Sequence, residues 1–235
     1  MITEILIKWC NENNIDINSE QLSSFKKYAD LLILWNEKMN LTAITEKKEI
    51  AIKHFIDSIS VLKSCSPPKN AKLIDIGTGA GFPGIPLKIM RPDIKLCLLD
   101  SLNKRLIFLD EVCKELEIKA ELIHARAEEC GQKSQYREQF DTVISRAVAN
   151  LPSLCEYCIP YLKMGGSFIS MKGPDGENEL ALAENAIKIL GGKTKKIDKL
   201  ILPDNSIRTV IEIKKLSPTP SKYPRRGIKI SKSPL

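Results

Sequence analysis

The sequence predicts an α/β fold: a mostly parallel seven-stranded sheet ending in an antiparallel hairpin, with an N-terminal helical extension. Three observations predict it. Short Val/Ile/Leu-rich runs alternate with amphipathic segments through the middle of the chain, the pattern of a doubly wound parallel sheet. One of those runs passes straight into a glycine-rich turn, Gly77-Thr78-Gly79-Ala80-Gly81-Phe82-Pro83-Gly84. The last two runs are separated only by a Pro203-Asp204-Asn205 turn signal, too short for a crossover helix.

In chain order, residues 1–66 read as helical. Ile2, Ile5, Leu6, Trp9 and Cys10 form one apolar stripe; Leu22, Phe25, Tyr28, Leu32, Trp35 and Met39 form another, after an Asn18/Ser19 cap signal. A third helix is expected over 46–63, and Ser66-Pro67-Pro68 marks the boundary with the sheet domain. Strands are expected at 71–76, 94–99, 119–124, 140–145 and 166–171, with helices near 84–91, 102–117, 126–138, 150–163 and 176–190. The hairpin strands follow at 194–202 and 207–215. The division is then 1–66 helical extension, 67–216 α/β domain and 217–235 basic tail.

Composition narrows the setting. No apolar run reaches the length of a membrane span, and the first residues lack the basic and apolar regions of a signal peptide, so a cytoplasmic protein is expected. Seven cysteines scattered from Cys10 to Cys158 suit reduced core thiols, and the lone Cys155-x-x-Cys158 has no second pair with which to hold a metal. The net charge of +7 is uneven: residues 193–235 carry +9 and residues 1–192 carry −2. Such a basic segment is the electrostatic footprint of a phosphate-backbone partner, or else a solvated face that aids solubility.

The glycine spacing Gly79-x-Gly81-x-x-Gly84 also fits a dinucleotide fingerprint, which keeps a nicotinamide-dependent oxidoreductase in view. Asp75, two residues before the first glycine, argues the other way. An acidic strand end followed by Gly-x-Gly-x-Gly resembles the first motif of S-adenosylmethionine-dependent methyltransferases. There the carboxylate is expected to favour the cationic amino-acid end of the ligand and to repel a pyrophosphate.

Ligands of open α/β sheets lie beyond the carboxyl ends of the strands. Asp100, ending the second strand, is expected to accept from the ribose hydroxyls, or to cap the helix near Leu102. Ala127 and Glu128 offer an amide and a carboxylate where an adenine edge would lie. Arg146, ending the fourth strand, is a guanidinium suited to a carboxylate or to the N7/O6 edge of guanine, with a surface ion pair as its other reading.

Taken together, Asn40-Leu41-Thr42, His54-Phe55-Ile56-Asp57-Ser58, Asp75 to Gly84, Asp100-Ser101 with Lys104-Arg105, Arg126-Ala127-Glu128, Ser145-Arg146-Ala147-Val148-Ala149, Met171-Lys172-Gly173 and Tyr223-Pro224-Arg225-Arg226-Gly227 resemble the bacterial 16S rRNA guanine-N7 methyltransferases, the glucose-inhibited division protein B family. The likeness spans nearly the whole chain, departing where Arg226-Gly227 lacks an intervening proline. The resemblance implies a Rossmann-like methyltransferase fold, S-adenosyl-L-methionine as cofactor, and one guanosine of 16S rRNA, within the assembled small subunit, as acceptor. It also implies cofactor contacts at Gly77, Phe82, Ala127, Glu128 and Arg146. Gly79, Gly81 and Asp100 join them from the reading of the residues, no metal is expected, and the protein is expected to be a monomer. Guanine N7 bears no proton, so no general base is required; Arg146 is the residue expected to orient the cofactor or the guanine. Lys222, Arg225, Arg226, Lys229 and Lys232 are expected to add salt-sensitive RNA affinity. A non-catalytic RNA-binding protein is the remaining alternative, though it would have no use for so complete a pocket.

Overall fold

The computed structural model of the chain describes residues 1–146 and 148–235. Ala147, within the run quoted after the fourth strand, lies outside them. Helix α1 (Ile2–Glu12) buries Ile2, Leu6, Trp9 and Cys10, the stripe its spacing calls for. Helix α2 (Ser19–Met39) starts at Asn18, whose side chain accepts from the Gln21 amide while the Gln21 side chain accepts from the Asn18 amide. The third stretch differs from the uniform helix expected. Helix α3 (Lys47–Glu49) widens into a π-helical segment, Ile50–Ile56, and resumes as α4 (Asp57–Ser60) before a 3-10 turn, Val61–Lys63.

The sheet domain follows as β1 (Lys72–Ile76), α5 (Gly84–Met90), β2 (Lys95–Asp100), α6 (Asn103–Glu115), β3 (Ala120–His124), α7 (Ala127–Cys130), β4 (Phe140–Arg146), α8 (Leu151–Cys158), β5 (Leu162–Lys172), α9 (Gly176–Ile189), β6 (Gly192–Ile201) and β7 (Ile207–Lys215), with α10 (Gly227–Lys232) in the tail. Two helices are shorter than the sequence suggests. The segment expected over 126–138 is helical only for Ala127–Cys130; Gly131 follows, and Arg137 spends its guanidinium on the carbonyls of Thr219 and Tyr223. The helix expected over 150–163 ends at Cys158 because Pro160 has no N–H to continue it, and a 3-10 turn leads directly into β5 at Leu162.

The strand order is β3-β2-β1-β4-β5-β7-β6. The first five strands pair in parallel, and β7 runs antiparallel between β5 and β6. The order reverses beside β1, whose neighbours are β2 and β4, and that switch point opens a crevice at the carboxyl edge. Both faces of the sheet are covered. Leu73, Leu96 and Leu98 share one apolar cluster with Leu6, Phe25, Tyr28 and Leu32 of the N-terminal helices. Ile74, Ile76 and Val143 point to the other face, against Leu154, Cys155 and Ala186 of α8 and α9. All seven cysteines are free and buried. Among the described residues no helix is long and apolar enough to cross a membrane, and no His/Cys/Asp/Glu cluster is arranged to hold a metal.

Candidate active site

At the crevice beyond β1, β2 and β4 lies a cleft of about 1160 Å³. Gly77, Gly79, Phe82, Asp100, Ala127, Glu128 and Arg146 all line it. Gly81 does not: it is buried beneath the turn, where an added Cβ would come within 2.5 Å of the Tyr28 hydroxyl and 2.8 Å of Leu109. Tyr28 in turn donates to the Ala80 carbonyl, so α2 clamps the turn from below. At Gly79 (φ +61°) an added Cβ would meet nothing within 4 Å, which makes this glycine an open patch of cleft floor.

Six amides of the turn are already used. Gly77 and Thr78 donate to the Leu99 carbonyl, Gly79 to Asp100, Gly81 and Phe82 to the Thr78 carbonyl, and Gly84 to Asp75. A dinucleotide site depends on such amides being free at the helix start to receive a pyrophosphate. Here a carboxylate of the chain occupies that position.

Asp75 therefore corrects the expectation that it faces a ligand. It is fully buried, with Oδ2 accepting from Thr78 Oγ1 (2.8 Å) and from the Gly84 amide (2.9 Å), and it ties strand to helix beneath the cleft. Burial pushes its pKa up to about 6, against the pull of those bonds and of Arg146. Asp100, also buried, does reach the cleft. Oδ2 accepts from the Gly79 amide and Oδ1 from the Leu102 amide; Leu102 is the N-cap of α6 and no side chain caps that helix, so the expected capping role of Asp100 reduces to holding the residue before the helix. Arg105 lies 3.1 Å from Oδ2.

Around Arg146 the N-terminal helices meet the sheet. Its Nη1 donates to Asp57 Oδ2 (3.0 Å) and to the Lys53 carbonyl (3.2 Å), and the guanidinium sits 5.2 Å over the Phe82 ring. The His54 ring stacks on Phe82 at 4.4 Å and 11°. His54 is held by Thr42 through Nε2 (3.0 Å), and burial, assisted by the Arg146 charge, lowers its pKa to about 3. The other oxygen of Asp57 accepts from Arg208 on β7 (3.0 Å). The π-helical turns put His54 and Asp57 on this one face; the Asp57 amide reaches back five residues to the Ile52 carbonyl. Asp57 and Arg208 escaped the sequence reading as site residues; the only signal was the quoted His54-to-Ser58 run.

On the far side, Tyr161 donates to the Ala127 carbonyl (2.6 Å). Arg226, Gly227, Ile228 and Ser231 border the cleft beside Glu128. Arg225 does not extend into solvent as an RNA contact: its guanidinium pairs with the fully buried Glu156 (2.7 Å).

A doubly wound sheet with a terminal antiparallel strand pair, and a cleft of this construction at its switch point, are the build of the methyltransferase fold. Solved structures of a methyltransferase from Pyrococcus furiosus (TM-score 0.58, 15% identity, 82% of this chain and 98% of that one) and of a sarcosine dimethylglycine methyltransferase from Galdieria sulphuraria (TM-score 0.57, 11% identity, 82% and 98%) share the fold. The model of the GidB family, rRNA small subunit methyltransferase G, matches residues 21–208, and the chain belongs to that family. It is 52% identical to ribosomal RNA small subunit methyltransferase G of Clostridium kluyveri (99% of this chain, 98% of the relative) and 51% identical to that of Desulforamulus reducens (100% and 98%).

Proposed function

We propose that the protein transfers the methyl group of S-adenosyl-L-methionine to N7 of a single guanosine of 16S rRNA, acting as a cytoplasmic monomer on the assembled small ribosomal subunit. The observation that carries this reading is the environment of Arg146. The nearest imidazole, His54, is neutral at physiological pH and committed to Thr42, and the nearest carboxylate, Asp57, is shared between two guanidinium groups. The lowered pKa makes His54 a poor base although its Nδ1 has no partner, the Asp57 carboxylate is held by two cations, and guanine N7 has no proton to give.

The cleft residues suit the proposed cofactor. Gly79 leaves room for close approach, and Asp100 is a buried carboxylate for paired hydroxyls. Ala127 and Glu128 supply an amide and a carboxylate for an adenine edge. Arg146 keeps N–H groups beyond Nη1 for a ligand carboxylate or guanine O6, while Phe82 and His54 support it from below. When bound, the cofactor supplies an electrophilic methyl on a sulfonium. The chain's task is to hold the acceptor in line and keep water out. The test is transfer of labelled methyl to small subunits from a strain lacking the modification, with cleavage mapping of 7-methylguanosine. Label at one guanosine is expected; label elsewhere or on another atom refutes the assignment.

A further inference from the structure

The basic tail is fixed in place by bonds that have nothing to do with RNA. Arg137 donates to the carbonyls of Thr219 and Tyr223 (both 2.7 Å), and Gln132 to that of Pro224 (2.8 Å). The Arg225 amide and guanidinium both bind Glu156, at 2.7 to 3.1 Å. Tyr223 and Ile230 are buried in the body of the protein. The segment between these anchors thus has a defined position, and that position is the rim of the cleft. Arg226, Gly227, Ile228 and Ser231 line it next to Ala127 and Glu128.

Two details distinguish a binding wall from a passing contact. Gly227 lies so close to Glu128 that an added Cβ would overlap Oε1, so a glycine is what lets that carboxylate stand where it does. Ile228 is 74% exposed although its neighbour Ile230 is fully buried. An apolar side chain held by a fixed backbone at the edge of a cleft gains from a flat apolar ligand surface laid against it.

We infer that the tail segment Arg226–Ser231 forms one wall of the nucleoside end of the cofactor pocket: Ile228 covers the purine, and Gly227 sets the position of Glu128. The inference rests on the cofactor reading proposed above and extends it to residues of the tail.

The experiment is calorimetric titration of S-adenosylhomocysteine into the full-length protein without RNA. Ile228→Ala, an exposed change that leaves the unliganded melting temperature in place, is expected to weaken binding roughly five-fold. Gly227→Ala, which displaces only the far end of the Glu128 side chain, is expected to weaken it roughly tenfold. In the Glu128→Ala background Gly227→Ala should then have little further effect, because its action runs through that carboxylate. Wild-type affinity in both single variants would overturn the inference and return the tail to RNA contact alone. Equal losses from Gly227→Ala with and without Glu128 would overturn the role of Gly227. Failure of the unaltered protein to bind would overturn the cofactor reading and the wall with it.

Discussion

Asp57 on α4 and Arg146 at the end of β4 are joined by a 3.0 Å bond, 89 residues apart in the chain, and the second oxygen of Asp57 holds Arg208 on β7 at the same distance. One buried carboxylate thereby fixes the guanidinium that faces the cleft and ties the N-terminal helices to the sheet. Asp57→Ala would leave two cations with nothing between them. Breaking a buried pair of this kind costs about 3–5 kcal/mol, so a large drop in unfolding free energy is expected, measured by denaturant titration. Asp57→Asn keeps the shape but weakens the hold on Arg146; methyl-transfer turnover should fall much further than its stability does. Parallel losses of stability and turnover would make Asp57 a purely structural residue.

Arg146 itself should behave in the opposite way. Arg146→Ala leaves Asp57 paired with Arg208, so the protein stays folded while turnover falls by about two orders of magnitude or more. Arg146→Lys restores the charge but cannot reproduce a fork held at Asp57 and spread over Phe82, and it should recover little of the activity. Near-normal single-turnover methylation by either variant would remove Arg146 from the reaction.

Much of this site was legible because its elements announce themselves locally. The apolar runs before Asp75, Asp100 and Arg146 define strands, strands in this alternation define a carboxyl edge, and the residues there follow. What stayed hidden depends on contacts across long stretches of chain. The direction in which Asp75 points is set by two bonds from Thr78 and Gly84, both to Oδ2, while Oδ1 stays buried without a partner. The pairing of Arg225 with Glu156 spans 69 residues, so a count of tail charges treated a buried ion pair as a free cation. The single turn of α7 likewise reflects Arg137 reaching the tail, which helical periodicity cannot register.

Asp100 and Arg105 offer a separable pair of changes. Asp100→Ala should weaken S-adenosylmethionine binding by roughly 1.5–3 kcal/mol, the range for lost bonds to a charged group. Arg105 competes for the same oxygen, so Arg105→Ala should leave the affinity unchanged or tighten it. Calorimetry that finds a large loss in Arg105→Ala would place that residue among the ligand contacts instead.

Two buried groups give stability opposite dependences on pH. The folded pKa of Asp75 is raised to about 6, so its contribution is fully present below about pH 4 and is lost as pH rises through 6. The folded pKa of His54 is lowered to about 3, so stability is lost as pH falls from about 6.5 toward 3. Between pH 7 and pH 4, the stability of Asp75→Asn relative to wild type should fall by about 2–3 kcal/mol. That of His54→Gln should rise by about 3 kcal/mol over the same interval. Denaturant unfolding at the two pH values checks both signs, and a shift of both variants in the same direction contradicts the assignment.

RNA affinity provides the last test, and the structure changes which cations belong in it. Lys222, Lys229 and Lys232 are exposed, Arg226 is shared with the cleft rim, and Arg225 is neutralised by Glu156. Each phosphate contact contributes about 0.7–0.9 to the slope of log affinity against log salt, so converting the three lysines to Gln should flatten it by up to about 2–3. Arg225→Gln should leave the slope alone and lower stability by about 3–5 kcal/mol, because the buried Glu156 carboxylate would keep the backbone amide of residue 225 but lose its only paired charge. Filter binding to small subunits across a salt series separates the two effects. An unchanged slope in the triple variant would mean that the tail lysines face solvent on the bound subunit.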